Sequence, residues 1–383
     1  MAKNYTYQIF QNADLLSDDW DALAQSNIFL SKSYLKVLDQ AAPKNMKCHY
    51  IALFLDHKIV GIAISQMICL SNVSSFGANK SCFHAKVRDF VFRNFVSNLL
   101  FIGNNMLTGQ NAYCFHSDIP TYDALVLLEK AAENLVAIFK QKGIKIHLTT
   151  FKDFVNEDFI NFDKPEFKNY FRFDTQPNMV FKIRDSWFSM DDYVNNLTKK
   201  YRDQFKRARK KSDGILKMKF SLEDIIFHKS KIFELYMNVT KNAPFNTFYL
   251  AENHFESFKK NLESHFLFYG YFVDNELVGF NTLIKNGAVI DTYFLGYNDG
   301  FQRDKMLYLN MLYDMIGYSI NKKFDSIVFA RTALEIKSSV GANPIQMFGL
   351  MKHHNVLIHK FLPRLFRFFE PEVLWMQRNP FKN

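Results

Sequence analysis

The chain has 383 residues, more than one hydrophobic core commonly serves, so its length points to two domains of roughly 150 residues or more each. Hydrophobic residues make up 48% and aromatics 16%, led by 42 Phe, which excludes disorder as the general state because burial can offset ordering entropy. A net charge of +10 with pI near 9.1 favours acidic partners: nucleic acid, anionic lipid, an acidic carrier protein or a phosphorylated cofactor.

The N-terminus leads into Asp14, Asp18 and Asp19 rather than an apolar signal core, and no apolar run approaches the ~20 residues that span a bilayer. A cytoplasmic location is expected, with the inner membrane face as an alternative. Cys48, Cys69, Cys82 and Cys114 form no C-x-x-C pair and read as thiols in a reducing compartment. His353, His354 and His359 match no metal motif, so no metal is expected, and His353 and His354 are expected at the surface or a helix end.

An internal repeat organises the chain. Phe54-Leu55-Asp56-His57-Lys58-Ile59-Val60-Gly61-Ile62 parallels Phe272-Val273-Asp274-Asn275-Glu276-Leu277-Val278-Gly279-Phe280. Each reads as a strand, a turn opened by Asp, and a second strand. Phe101-Ile102-Gly103-Asn104-Asn105 is then paired with Phe294-Leu295-Gly296-Tyr297-Asn298, the first copy holding extra residues around 72–95. Helical patterns follow over 122–141 and 304–321, each ending in a short strand, 144–151 and 326–329. Polar residues and Pro165 place a boundary between 153 and 177, giving domains 1–165 and 166–383. Further helices are expected over 190–211, 222–242 and 253–265. The order implies an α/β fold with mixed sheets and a crossover helix on one face of each.

The strongest local signal is cationic. Lys199, Lys200, Arg202, Lys206, Arg207, Arg209, Lys210 and Lys211 crowd a helix opposed only by Asp203. Such crowding forgoes the i,i+4 pairs of a mixed helix and suits docking of phosphate, an acidic carrier or tRNA, although a solvated basic face has the same composition. Tyr201 and Phe205 are expected to turn to the core. Lys360–Phe369 and Lys86–Phe95 alternate cations with Phe, as at an anionic membrane boundary or a Phe-lined core cover. Pro363 argues against a continuous helix there.

Three stretches together resemble the GNAT superfamily, in particular its tandem-domain branch of Fem-type peptidyltransferases and acetyltransferase-6 proteins. They are Tyr193–Arg202 continuing through Lys206–Lys210, the hairpin Glu276–Gly279, and Phe324–Thr332 followed by Ile336–Ala342. The resemblance implies two tandem GNAT-like domains, the second carrying the active site of an N-acyltransferase. Acyl-CoA or an acyl-carrier-bound acyl group is the expected co-substrate, with aminoacyl-tRNA as an alternative donor. One stretch departs from the family. Where small residues open a phosphate-binding turn, this chain has Gln302-Arg303-Asp304-Lys305-Met306-Leu307, which obstructs close approach of backbone to phosphate. Arg303 and Lys305 would then supply charge instead.

Acyl transfer to an amine needs a base, oxyanion stabilisation and a proton for the leaving group, without a covalent nucleophile. Asp291 and Tyr293, two apart in a strand, share a face and are candidates for base and proton donor. The rival reading makes Tyr293 a core aromatic and Asp291 a structural acceptor. Arg202, Asn281, Arg331, Glu335 and Lys337 are candidate substrate contacts, and Lys199, Lys206, Arg207, Arg209, Lys210, Arg303 and Lys305 candidate docking residues for the carrier, CoA or tRNA. A catalytically silent module binding an acidic partner or an anionic membrane is the alternative function. No specific DNA binding is expected.

Overall fold

The computed structural model describes residues 4–70, 95–242, 246–369 and 375–382, without the side chains of 365–369. The described residues form two compact units. The first holds the chain up to Thr175, a short piece ending at Ala251, and the stretch from Gln346; the second holds the rest from Gln176.

In chain order the first unit contains β1 (Tyr5–Phe10), α1 (Asp19–Ala24), α2 (Lys32–Ala41), β2 (Met46–Leu55), β3 (Lys58–Cys69), β4 (Asn98–Ile102), β5 (Tyr113–Phe115), α3 (Thr121–Gln141) and β6 (Leu148–Phe154). The strand β7 (Phe171–Lys182) leads into the second unit. There follow α4 (Met190–Asn196), α5 (Lys199–Lys211), β8 (Leu216–Lys219), α6 (Leu222–Phe227), α7 (Lys229–Lys241), α8 (His254–Leu262), β9 (Phe266–Val273), β10 (Glu276–Asn286), β11 (Val289–Thr292), β12 (Gly296–Tyr297), α9 (Asp299–Lys305), α10 (Leu307–Asn321), β13 (Ser326–Ala330) and α11 (Leu334–Ser339). The strand β14 (Asn343–His353) and helix α12 (Val356–Phe369) return the chain to the first unit.

In the first unit the strand order is β1-β2-β3-β4-β6-β14, with β5 beside β3; in the second it is β7-β13-β11-β10-β9-β8, with β12 beside β10. Pairing is antiparallel except for β4 with β6 and β11 with β13, the parallel pairs that a crossover helix must join. That helix is α3 in the first unit, whose Ala124, Leu128, Ala131, Leu135 and Phe139 recur at helical spacing and are buried. In the second it is α10.

The hairpins carry the duplication in their geometry. Leu53 pairs with Gly61 and Phe54 with Ile59, so Val60 is a bulge; Tyr271 pairs with Gly279 and Phe272 with Leu277, so Val278 is the same bulge. Both turns place Asp in the left-handed region, Asp56 at φ 54° and Asp274 at φ 48°, a conformation Asp tolerates better than most residues. The second sequence correspondence is corrected. Cys114-Phe115, not Gly103-Asn104, is the equivalent of Gly296-Tyr297, because Gly61 pairs with Phe115 as Gly279 pairs with Tyr297. Gly103 answers to Tyr293: its N–H bonds Ile64 O at 3.0 Å, as that of Tyr293 bonds Thr282 O at 3.0 Å.

Three expected helices are broken by caps. The 190–211 stretch parts at Leu197, whose backbone is extended, and the 222–242 stretch parts at His228. The 304–321 stretch parts at Met306, which is left-handed at φ 50°. Conversely, α12 runs through Pro363, contrary to expectation. His353 is buried, its Nε2 bonded to Phe95 O at 2.9 Å, again unlike the surface position expected. Cys82 and most of the 72–95 and 86–95 stretches lie outside the described residues.

Candidate active site

In the second unit β11 and β13 run parallel from Val289↔Ser326 to Asp291↔Val328, and Thr292 Oγ1 donates to Val328 O at 3.0 Å. Beyond that point the chain turns to β12, which pairs with β10 instead. The two strands therefore part, and a parting at the carboxyl ends of parallel strands is where α/β sheets commonly admit ligands.

The β13 side of the parting is strained. Ala330, Thr332 and Ala333 have φ of 60°, 66° and 46°, left-handed values that cost ~1–3 kcal/mol each outside glycine. Lys337, on α11, holds this loop. Its Nζ donates to Arg331 O at 2.7 Å and Ala330 O at 3.2 Å, and the residue is only 4% exposed. Burial pushes its pKa down to about 7, since the charged form loses its hydration. Arg331 donates from Nε to Gln176 O at 3.1 Å, and Glu335 accepts from Arg378 Nε at 3.0 Å and also from its Nη2.

On the β11 side, Asp291 is opposite Ile284, on the sheet face that carries Phe280 and α8. It is 6% exposed, and burial pushes its pKa up to about 7 against the opposing effect of Asn286, whose Nδ2 donates to Oδ2 at 3.3 Å. Tyr293 packs on the same helix, its ring against His254 and Phe258, with its hydroxyl 3.0 Å from His254 Nε2. The structure thus brings Asp291 and Tyr293 to one face.

Asn281 goes to the other. Its Nδ2 donates to Tyr271 OH at 3.1 Å, Tyr271 donates to Asp314 Oδ2 at 3.0 Å, and Arg209 reaches Asp314 Oδ1 at 2.8 Å. Arg209 also bonds Asn310 at 3.3 Å, and Lys217 stands 3.6 Å from Asp314. Asn281 Oδ1 is buried and meets no donor among the described residues. This line ties α5 to α10 and β9–β10, so Arg209 is committed internally. Arg202 likewise donates to Leu197 O at 2.6 Å at the start of its own helix. Lys199, Lys206, Arg207 and Lys210 stay exposed on α5, while Tyr201 is buried as expected. Arg303 is exposed, and Lys305 donates to Asp213 O at 2.8 Å.

Sequence reasoning missed His254, Asn286 and Asp314. Asp314 had a signal: it is the one charged residue in the largely apolar α10. His254 and Asn286 had none, because their partners are distant in sequence or in an unremarkable turn. Among the described residues no group of three or more His, Cys, Asp or Glu side chains is placed to hold a metal ion.

No family model matches the sequence, and no curated protein matches it. Among solved structures FemX superposes with a TM-score of 0.53 at 12% identity, covering 95% of this chain and 100% of that one. A tandem GNAT protein from the clavulanic acid biosynthesis pathway gives 0.50 at 8% identity, covering 92% and 99%. The chain carries the tandem GNAT fold.

The two GNAT units differ at the parted strands. In the first, Lys152 and Asp153 form a buried ion pair, and Lys152 Nζ donates to the carbonyls of Asn104 at 3.0 Å and Leu107 at 3.3 Å. Its stem lies against Gly103, where an added Cβ would be 2.6 Å from Lys152 Cγ. In the second GNAT unit the first turn of α10 is occupied by its own side chains. Gln302 Oε1 accepts from Tyr308 N at 2.9 Å, and Leu307 is buried over Gly279, whose added Cβ would be 2.8 Å from Leu307 Cδ2.

Proposed function

We propose that the second unit is an N-acyltransferase that moves an acyl or aminoacyl group from a carrier onto an amine held where β11 and β13 part. The observation that carries this reading is the strained Ala330–Ala333 loop, kept in place by the buried Lys337 beside parted strands of a tandem GNAT fold. Strain of this kind persists where the surrounding structure over-determines it, as functional sites do. The amine nitrogen attacks the acyl carbonyl, Asp291 takes the proton the amine loses, and the Tyr293–His254 pair returns one to the leaving thiol or hydroxyl. A carboxylate with a pKa near 7 suits a base at neutral pH. Lys337 acts as a positioning residue, with Arg331 and Glu335 beside it as substrate contacts. The occupied first turn of α10 favours a donor gripped by side-chain charge: an acyl carrier, an aminoacyl-tRNA, or acyl-CoA held by Arg303 and the exposed cations Lys199, Lys206, Arg207 and Lys210. The likeness of the fold to FemX and to the tandem GNAT protein of the clavulanic acid pathway supports this reading.

A second reading, a silent module for an acidic partner or an anionic membrane, is favoured by the same occupied turn. A panel of acyl-CoA, acyl carrier and aminoacyl-tRNA donors with mixed amines, read by mass spectrometry, separates the two. Transfer that is lost in folded Asp291→Asn and Lys337→Met supports the enzyme; no transfer with any donor supports the module.

A further inference from the structure

A cavity of about 490 Å³ lies in the second unit, between Gly341–Asn343 and the C-terminal residues 377–382. We infer that this cavity is a binding site for the phosphate end of a nucleotide-sized metabolite, separate from the parted strands.

Its charge is one-sided. Arg184, Arg378 and Lys382 line it, and no lining residue bears a carboxylate. Arg378 is matched by Glu335, whereas no salt bridge among the described residues involves Arg184 or Lys382. Arg184 uses Nη1 on Asn196 Oδ1 at 2.9 Å, and Lys382 uses one donor on Asn195 O at 2.7 Å. Among the described residues the remaining Nε and Nη2 of Arg184 and two donors of Lys382 meet no acceptor. The side chains of Asn343, Gln377 and Asn379 add amide groups to the lining, and none of these amides bonds another described residue. Several donors converging on one open space suit the three oxygens of a phosphate better than a single carboxylate. The volume falls in the range of small-molecule sites.

The wall is preorganised, which distinguishes it from a patch of mobile surface cations. The guanidinium of Arg184 is fixed over the rings of Phe381 at 4.7 Å and Trp187 at 5.3 Å. Phe381 in turn seats on Gly341, whose φ of 107° only glycine adopts easily and whose added Cβ would be 2.4 Å from the ring. The strap is also pinned by its backbone: Thr198 N donates to Pro380 O at 2.8 Å and Lys382 N to Asn196 O at 3.0 Å. Fixing a guanidinium before the ligand arrives lowers the ordering cost of binding.

The test is calorimetric titration of the full-length protein with inorganic pyrophosphate and with adenosine monophosphate, at low and physiological salt. Saturable binding that weakens with salt is expected from both, tighter for the nucleotide if the cavity takes its whole body. Arg184→Gln removes the stacked fork, and Asn343→Asp places a carboxylate in the cavity at an exposed position without changing side-chain size. Each should weaken binding about tenfold or more, Arg184→Gln by the loss of a charge-assisted hydrogen bond and Asn343→Asp by repulsion of the phosphate, with an unchanged circular-dichroism spectrum. Absence of saturable binding by either probe, or the same affinity in wild type and folded Asn343→Asp, overturns the site. Because the readout is binding, the outcome is independent of whether the second unit transfers acyl groups.

Discussion

At the scale of residues, the second unit is set apart by two buried ionisable groups held near neutrality from opposite directions. Asp291 carries its raised pKa because little but the Asn286 amide repays its lost hydration. The unfolded chain keeps the ordinary value of 3.8, so between about pH 4 and pH 7 the folded protein binds the extra proton and its stability falls as pH rises through that window. Asp291→Asn keeps the acceptor for Asn286 and removes the charge. Urea unfolding should show the variant matching wild type near pH 4 and exceeding it near pH 8 by on the order of 2–4 kcal/mol. Equal curves at both pH values would mean that the carboxyl is hydrated. If Asp291 is the base, wild-type transfer should also rise with an apparent pKa near 7. The spacing of Asp291 and Tyr293 announced their common face, because alternation in a strand is rigid. It could not announce His254, which reaches Tyr293 from a helix 39 positions away in sequence, nor that Asn281 turns to the opposite face with Arg209 and Asp314.

At the scale of elements, the hairpins were legible and the helix ends were not. The Asp-led turn and Val-Gly pair carry their own geometry, a left-handed Asp and a bulge at Val60 or Val278, so equal sequences gave equal structures. The helices over 190–211, 222–242 and 304–321 kept their apolar period through breaks at Leu197, His228 and Met306, and periodicity does not report a one-residue change of backbone. The Gly103–Gly296 match failed because nine residues, 104–112, lie between Gly103 and Tyr113 where Phe294 alone lies between their equivalents Tyr293 and Leu295, so a shared Phe-x-Gly fell in different registers. Gly296 nevertheless has a demanding place. An added Cβ would be 2.5 Å from backbone atoms of Leu235 and Tyr236 in α7, which cannot swing aside as a side chain can. Gly296→Ala should therefore cost ~2–3 kcal/mol, the upper part of the overpacking range. The neighbours of Gly61 are side-chain atoms of Leu53 and Phe115 at 3.0 Å, so Gly61→Ala should cost less. Denaturant midpoints of the two variants rank them, and the reverse order would remove α7 from β12.

At the scale of the whole molecule, a duplicated plan has been spent differently in its two copies. Each unit parts two parallel strands, after Ile102 in one and after Thr292 in the other. In the first, the loop 104–112 and the Lys152–Asp153 pair consume that parting, with the ammonium donating to two loop carbonyls. In the second, the equivalent stretch is the left-handed loop at Ala330–Ala333, whose clamp comes from Lys337 on the following helix. If the second unit carries the transfer site we propose, the two arrangements predict opposite consequences for two superficially similar substitutions. Lys152→Met removes the cation of a buried ion pair and should cost ~3–5 kcal/mol of stability, while transfer by the protein that remains folded at low temperature stays within about twofold of wild type. Lys337→Met removes an amine bonded to two backbone carbonyls rather than to a carboxylate, so it leaves no stranded charge; it should spare most of the stability and depress transfer at least tenfold through the loosened loop. Thermal unfolding and transfer assays on the two variants decide the matter. Loss of transfer in folded Lys152→Met, with Lys337→Met still active, would move the chemistry to the first unit.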